Sequence, residues 1–188
     1  IEFVPFRPDT LIGQLNAEQI DVAMSGIHGR FELAEHAAYS DPYLIVRMSL
    51  VVSDGDVGDF ETFASIREMD SLRLGVSQFA EAVTERARSI LANATVVLLD
   101  SPRQFFENKG TRIDALLIDA ESGSAWTLLY PAYSIAVPRA VVRLPLAIPV
   151  ADGDPALTEY LNAWLSVRKE DRTIQRYEEK YQIFLAAG

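Results

Sequence analysis

Predicted β-strands and predicted α-helices follow one another along almost the whole of this 188-residue chain. The clearest strand is the run of Val, Ile and Leu over residues 44–52. The clearest helix begins at Asp154 and Pro155, because proline suits the first helical position. Regular alternation of the two elements is typical of βα units on a parallel-rich sheet. The sequence therefore predicts an α/β fold, with further strands at 1–6, 20–24, 72–77, 95–99, 113–118, 133–137 and 146–150 and further helices at 31–37, 80–91, 120–129 and 173–185.

Two segments are candidate domain boundaries. Residues 53–59 form an acidic connection that contains glycine, and residues 138–145 carry proline at both ends. Together they predict a discontinuous division of the chain. Lobe one comprises 1–52 and 146–188, lobe two comprises 60–137, and the two segments between them serve as hinge or crossover.

The composition argues against several classes of function. The chain has 17 basic and 27 acidic residues, a net charge of −10, and no dense Lys/Arg cluster, which is unlike a duplex nucleic-acid binder. No apolar run reaches the ~18 residues of a transmembrane helix. The absence of cysteine excludes disulfides, thiolate catalysis and cysteine-built zinc sites. His28 and His36 lack metal-ligand spacing, and no glycine-rich phosphate or dinucleotide motif is present, so no metal and no cofactor is predicted.

Six segments carry a resemblance to a known family. In chain order they read LNAEQIDVAMSGI, YSDPYL, LRLGVS, NKGTRIDALLIDAESGSAW, IPVADGDPALTEYLNAWL and TIQRYEEKY. Their order and spacing, over nearly the whole chain, resemble the family 3 extracellular solute-binding proteins, which are type 2 periplasmic binding proteins for amino acids and related small solutes. The stretch AESGSAWTLLYPAYSIAVP is also similar to the binding-protein-like domain fused behind some dicarboxylate symporters.

The resemblance implies a two-lobed α/β clamshell with a small ligand between the lobes, closing by hinge motion. Family members begin with another strand and helix before the equivalent of Ile1. We therefore expect the chain to be N-terminally truncated and lobe one to lack that strand and helix. An incomplete lobe exposes a sheet edge that can pair with another chain, so a homodimer is expected.

The function implied by the resemblance is extracytoplasmic binding of an amino acid or related small carboxylate for transport or sensing. The expected location is periplasmic or otherwise extracytoplasmic, with the full-length protein either free or tethered to a membrane. The expected partners are the small solute and a membrane transporter or receptor. An enzyme is not predicted, although dehydratases of cyclic acids on a similar scaffold keep that alternative open. The other alternative is a regulatory or interaction domain of a transporter that kept the fold and lost its ligand.

The ligand residues implied for lobe one follow Ser25 and Gly26. The family places a hydroxyl residue and then an arginine here, because a guanidinium pairs with a ligand carboxylate in two parallel hydrogen bonds. In this chain Leu33 stands at the position of that arginine, Arg30 stands one turn earlier, and His28 stands where a small hydroxyl residue is common. Arg30 as a substitute anchor and Arg30 as a solvated surface residue are both open readings.

The ligand residues implied for lobe two lie in the turn after the predicted strand 72–77 and at the start of a later helix. Ser77 and Gln78 are candidate polar contacts, while Phe79 and Ala80 replace the family's glycine and hydroxyl residue. The resemblance assigns to Asp119 the role of receiving the ligand ammonium, and the plain alternative is a helix N-cap. Glu121 is a further candidate at the same helix start, with Ser122 and Ser124 weaker ones.

Overall fold

The structure is a computed structural model of the chain. It describes residues 1–6, 10–24, 26–27, 37–77, 81–107, 112–151, 154–177 and 179. Within these ranges the side chains of residues 81–83 and 86 are not described.

The chain forms two compact units. Within the described residues, the first unit falls in Ile1–Ile45 and Leu144–Lys180, and the second unit falls in Val46–Arg143. The backbone passes from one unit to the other inside two strands, β2 (Leu44–Ser53) and β7 (Arg143–Leu146).

The second unit is built on a mixed sheet in which the strands lie in the order β4 (Thr95–Leu99), β3 (Arg73–Ser77), β5 (Ala115–Asp119), β2 and β6 (Tyr133–Ala136). Strands β3, β4 and β5 are parallel, and β2 runs antiparallel to both β5 and β6. The helices of this unit are a 3₁₀ helix (Asp54–Phe60), α2 (Phe63–Arg67), α3 (Glu81–Ile90), α4 (Arg103–Glu107) and α5 (Ala120–Leu129).

The continuous apolar run of β5 reflects burial of both faces of the sheet. Leu116 packs with Val51, Leu99 and Phe105, while Leu117, the next residue, is also fully buried. Central strands that are covered on both sides need apolar residues at every position rather than at alternate ones. Burial on both faces fixes β5 in the middle of the sheet, and its last residue, Asp119, therefore has a defined position.

The described residues of the first unit form two apolar clusters. One joins α1 (Leu11–Asn16) to β1 (Ala37–Tyr39), and the other packs Leu161 and Leu165 of α6 (Pro155–Glu170) against Ile148 and Val150. Strand β1 pairs antiparallel with β8 (Pro149–Ala151). The predicted start of α6 is confirmed, because the Asp154 carboxylate accepts a hydrogen bond from the Leu157 N–H at 2.9 Å.

Some sequence-based expectations differ from the structure. Residues 1–6 form no strand, and all but Phe6 are exposed, since no described neighbour pairs with them. The helix predicted over 31–37 lies outside the described residues except for Ala37, which begins β1. In the last predicted helix residues 173–177 are helical, and 180–185 lie outside the described residues.

The predicted lobe boundaries also differ from the two units. Residues 46–52, predicted in lobe one, pair with β5 and β6 inside the second unit. Residues 54–59, predicted as hinge, lie in the 3₁₀ helix of the second unit, whereas the crossing at 143–144 falls inside the predicted segment 138–145. Strand pairing rather than loop composition decides where the chain changes unit. The division of the chain into two lobes that close on a ligand stays a prediction.

Candidate ligand-binding site

The candidate site of the second unit lies at the carboxyl ends of its parallel strands. Val76 of β3 is the register partner of Leu117 in β5, so Ser77 and Asp119 follow at the same edge of the sheet. Arg47 also reaches this edge, because Met48 of antiparallel β2 is the register partner of Asp119. Ligands of open α/β sheets bind beyond the carboxyl ends of strands. We call Ser77, Asp119, Glu121 and Arg47 together the strand edge.

Asp119 ends β5 and is the N-cap of α5. Its backbone is extended, with φ −70° and ψ 151°, and its Oδ1 accepts a hydrogen bond from the Ser122 N–H at 2.7 Å. Within the described part of the chain, Oδ2 accepts no hydrogen bond. Asp119 therefore fulfils the N-cap role and still offers one oxygen to a cationic group.

Gly123 allows α5 to lie close to the sheet. A Cβ at this position would lie 3.1 Å from Ile118 Cγ2 and 3.2 Å from Val51 Cγ2. Glycine costs about 1 kcal/mol relative to alanine inside a helix. The close approach explains why glycine occurs inside this helix.

Replacing Gly123 by valine is expected to destabilise the second unit by ~1–3 kcal/mol, because the added methyl groups overpack the contact with β2 and β5. Urea denaturation measures the change. Gly58→Val is the matched control, since a Cβ at Gly58 meets nothing within 4 Å. Equal effects of the two substitutions would contradict the close-packing explanation.

Glu121 forms an ion pair within the chain. Its Oε1 lies 3.3 Å from both Nε and Nη2 of Arg47, and its Oε2 accepts a hydrogen bond from the Arg47 backbone N–H at 3.3 Å. The Glu121 side chain is 16% exposed and that of Arg47 is 53% exposed. Both carboxylate oxygens of Glu121 are thus occupied, whereas the guanidinium keeps an open face.

Arg47 is a site residue that the sequence reasoning missed. A signal was available, because Arg47 is the only charged residue within the predicted strand 44–52. Charged residues inside a buried strand are rare unless they are paired. Their presence indicates either an edge of the sheet or a site, and here the structure places Arg47 beside Glu121.

In the first unit the candidate Gly26 has a left-handed backbone, with φ 63°. Glycine adopts this conformation without the steric cost of a Cβ. Tyr43 is half-buried, and burial raises the pKa of its phenol, an effect that a hydrogen bond with the backbone of Gly26 partly offsets. The contact links Tyr43 to the backbone of the candidate Gly26.

The raised pKa of Tyr43 predicts a loss of stability at high pH. The unfolded phenol releases its proton near pH ~10, whereas the folded phenol keeps it to a higher pH. Between the two pKa values the folded state binds more protons, so the free energy of unfolding falls as pH rises. Comparing Tyr43→Phe with the unmodified chain between pH 9 and 11.5 (about 10 being the reference value) isolates this dependence. Identical pH profiles for the two proteins would contradict it.

Several candidates lie outside the described residues. These are Ser25, His28, Arg30 and Gln78, together with the departures Leu33, Phe79 and Ala80. Their roles stay predictions. The structure therefore brings together Ser77, Asp119 and Glu121 in the second unit and describes Gly26 in the first.

The described residues hold no group of three or more His, Asp or Glu side chains arranged for a metal ion. Among the helices in the described ranges, none has the length and apolar character to cross a membrane.

Solved structures with the same fold cover most of this chain. An ancestral cationic amino acid solute-binding protein, AncCDT-1, is 25% identical with a TM-score of 0.75, over 96% of this chain and 77% of that chain. A second AncCDT-1 structure, described as a precursor of cyclohexadienyl dehydratase, is 24% identical with a TM-score of 0.80, over 96% and 76%. A variant of ArgBP from T. maritima is 26% identical with a TM-score of 0.77, over 96% and 76%.

These likenesses confirm the predicted type 2 periplasmic-binding-protein fold. None of the curated proteins compared with the chain matches it. The family model of the bacterial extracellular solute-binding proteins, family 3, matches residues 1–184 of this chain. Because this match spans nearly the whole chain, the protein belongs to family 3 of the bacterial extracellular solute-binding proteins, which work outside the cytoplasm.

Proposed function

We propose that the chain binds a free amino acid at the strand edge, with the Asp119 carboxylate receiving the ligand ammonium. The observation that carries the proposal is the hydrogen bonding of the two oxygens of this carboxylate. Oδ1 is held by the Ser122 N–H at 2.7 Å, and this bond orients the group, while Oδ2 accepts no hydrogen bond from the residues that the structure describes. A hydrogen bond to a charged group contributes ~1.5–3 kcal/mol.

Family membership and the ligands of related proteins support an amino acid as the ligand. The related structures include a cationic amino acid solute-binding protein and an arginine-binding protein. Another relative is a solute receptor for L-cysteine from Neisseria gonorrhoeae. An α-ammonium is common to all these ligands, and a carboxylate at a strand end suits that group.

Thermal-shift measurements against the amino acids and small dicarboxylates test the proposal. A ligand at a hundredfold excess over Kd adds ~2.7 kcal/mol to the stability of the folded state, which raises the melting temperature. We expect a shift with at least one amino acid and none with a dicarboxylate that lacks an ammonium. A full-length protein that responds to no amino acid would contradict the proposal and favour the ligand-free regulatory domain.

We also propose that binding takes place without catalysis. A dehydratase needs a free general acid or base beside its substrate. Of the acids at the strand edge, Glu121 has both oxygens engaged by Arg47, and Asp119 has one engaged by Ser122. The relation of AncCDT-1 to cyclohexadienyl dehydratase makes the direct test worthwhile. We expect no turnover of a cyclohexadienyl acid, and turnover that depends on Asp119 would contradict this.

The membrane partner and the homodimer belong to the same proposal. The expected partner is a membrane transporter or receptor that accepts the ligand-bound form, either directly or with the protein tethered to the membrane. Light scattering of the full-length protein distinguishes a homodimer from a monomer, and a monomer at all accessible concentrations would contradict the dimer.

A further inference from the structure

We infer that Arg47 makes the strand edge favour amino acids with uncharged or acidic side chains over amino acids with cationic side chains. The inference rests on the proposed function, because it concerns the ligand bound beside Asp119. It goes beyond that proposal by naming the class of side chain and the residue that selects it.

The Arg47–Glu121 ion pair is positioned by the register of β2 against β5. Arg47 precedes Met48, the register partner of Asp119, and Glu121 follows Asp119 by two residues. The pair therefore lies at the same end of β5 as the carboxylate proposed to receive the ammonium. Three contacts at 3.3 Å hold Glu121 to Arg47, through Nε, Nη2 and the backbone N–H.

The charges of the strand edge decide which ligand side chains it opposes. Asp119 and Glu121 carry two negative charges, and Arg47 cancels one of them. The ligand ammonium then compensates Asp119. A second positive group on the ligand finds both oxygens of Glu121 occupied and meets the exposed side of the guanidinium, whose side chain is 53% exposed. Like charges repel, even in a partly solvated environment.

A negative or neutral side chain of the ligand meets no such repulsion. A neutral side chain leaves the edge balanced, and a carboxylate on the ligand can approach the guanidinium, whose planar fork matches carboxylate geometry. Arg47 therefore discriminates between ligands by repelling one class and tolerating or attracting the others. This is how specificity is commonly gained, through an unfavourable contact with the wrong ligand.

The test measures the ratio of the association constants for arginine and glutamine by calorimetry with the full-length protein. Arg47→Met removes the positive charge and exposes Glu121, so the ratio is expected to rise about tenfold in favour of arginine. Glu121→Gln keeps Arg47 and removes its partner, so the ratio is expected to fall. The two variants move the ratio in opposite directions, so the inference remains testable if one of them fails to fold.

The matched control is Arg112→Met. Arg112 pairs with Asp114 at 2.7 Å, with side chains 73% and 20% exposed, and the pair lies at the opposite end of β5. The length of β5 separates the two pairs, about 3.3 Å per residue. We expect the ratio to be unchanged in this variant. Arg47→Lys, which restores the positive charge, is expected to return the ratio toward its original value.

High salt adds a readout that a merely structural role would not change. In about 1 M NaCl the Debye length falls to ~3 Å, so the effect of Arg47→Met on the ratio should shrink. An unchanged ratio in Arg47→Met and Glu121→Gln, with amino acids still bound, would overturn the role of Arg47 and leave the proposed function standing. Failure of the unmodified protein to bind any amino acid would overturn both.

Discussion

Replacing Asp119 by asparagine is expected to weaken amino acid binding by ~10- to 150-fold while leaving the fold nearly unchanged. The loss corresponds to one charge-assisted hydrogen bond of ~1.5–3 kcal/mol. Asparagine remains a good N-cap, so its side-chain oxygen can still accept the Ser122 N–H that Asp119 accepts at 2.7 Å. Calorimetry measures the affinity, and urea denaturation measures the free energy of unfolding.

Asp119→Ala separates the two roles of the side chain. It removes the N-cap as well as the charge, so it is expected to cost a further ~0.5–2 kcal/mol of stability. Asp154→Asn is the matched control, because Asp154 caps α6 in the first unit by accepting the Leu157 N–H at 2.9 Å. It makes the same chemical change at another helix and should leave affinity unchanged. If Asp119→Asn binds like the unmodified protein, Asp119 is an N-cap alone.

The region around Asp119 was predictable from sequence for a physical reason. The apolar residues before Asp119 and the carboxylate that caps the next helix are both local signals, and α5 has its predicted bounds, Ala120–Leu129. A strand buried on both faces shows its character in four or five consecutive residues. The family resemblance then assigned Asp119 a ligand role, which neither the run of residues nor the cap could supply.

The partner of Glu121 was not predictable, because the pair joins residues 74 positions apart. It depends on the antiparallel register that places Met48 opposite Asp119. A shift of one residue would point every side chain of β2 to the other face. Register is set by tertiary packing and does not follow from the local pattern of either strand.

Periodicity alone also misjudged burial at two places. Residues 1–6 alternate like a strand yet are mostly exposed, because alternation shows only that a face could be buried if a neighbouring strand were present. In α6 the apolar residues at helical spacing include Trp164 together with Leu161 and Leu165. Both leucines are buried, while Trp164 is 38% exposed, since the buried stripe is narrower than the apolar pattern.

Replacing Leu116 by alanine is expected to destabilise the second unit by ~2–5 kcal/mol, because it creates a cavity in the middle of the sheet. Leu116 is 0% exposed and packs with Val51, Leu99 and Phe105. The surrounding β2, β4 and α4 contacts leave little room for collapse around the missing methyl groups. A loss of this size is a large part of the ~5–15 kcal/mol stability of a typical domain.

Tryptophan fluorescence can assign the loss to the second unit. The chain has two tryptophans, and Trp126 stacks on Phe106 in the second unit with ring centroids 5.5 Å apart, while Trp164 lies in the first. In a Trp164→Phe background, urea unfolding followed by fluorescence therefore reports the second unit. Leu98→Ala is the matched control, since Leu98 on β4 is 65% exposed and its loss should change stability by no more than ~0.5 kcal/mol. Equal urea midpoints for Leu116→Ala and Leu98→Ala would show that β5 does not stabilise the core of the second unit. Burial of β5 would then no longer explain the defined position of Asp119.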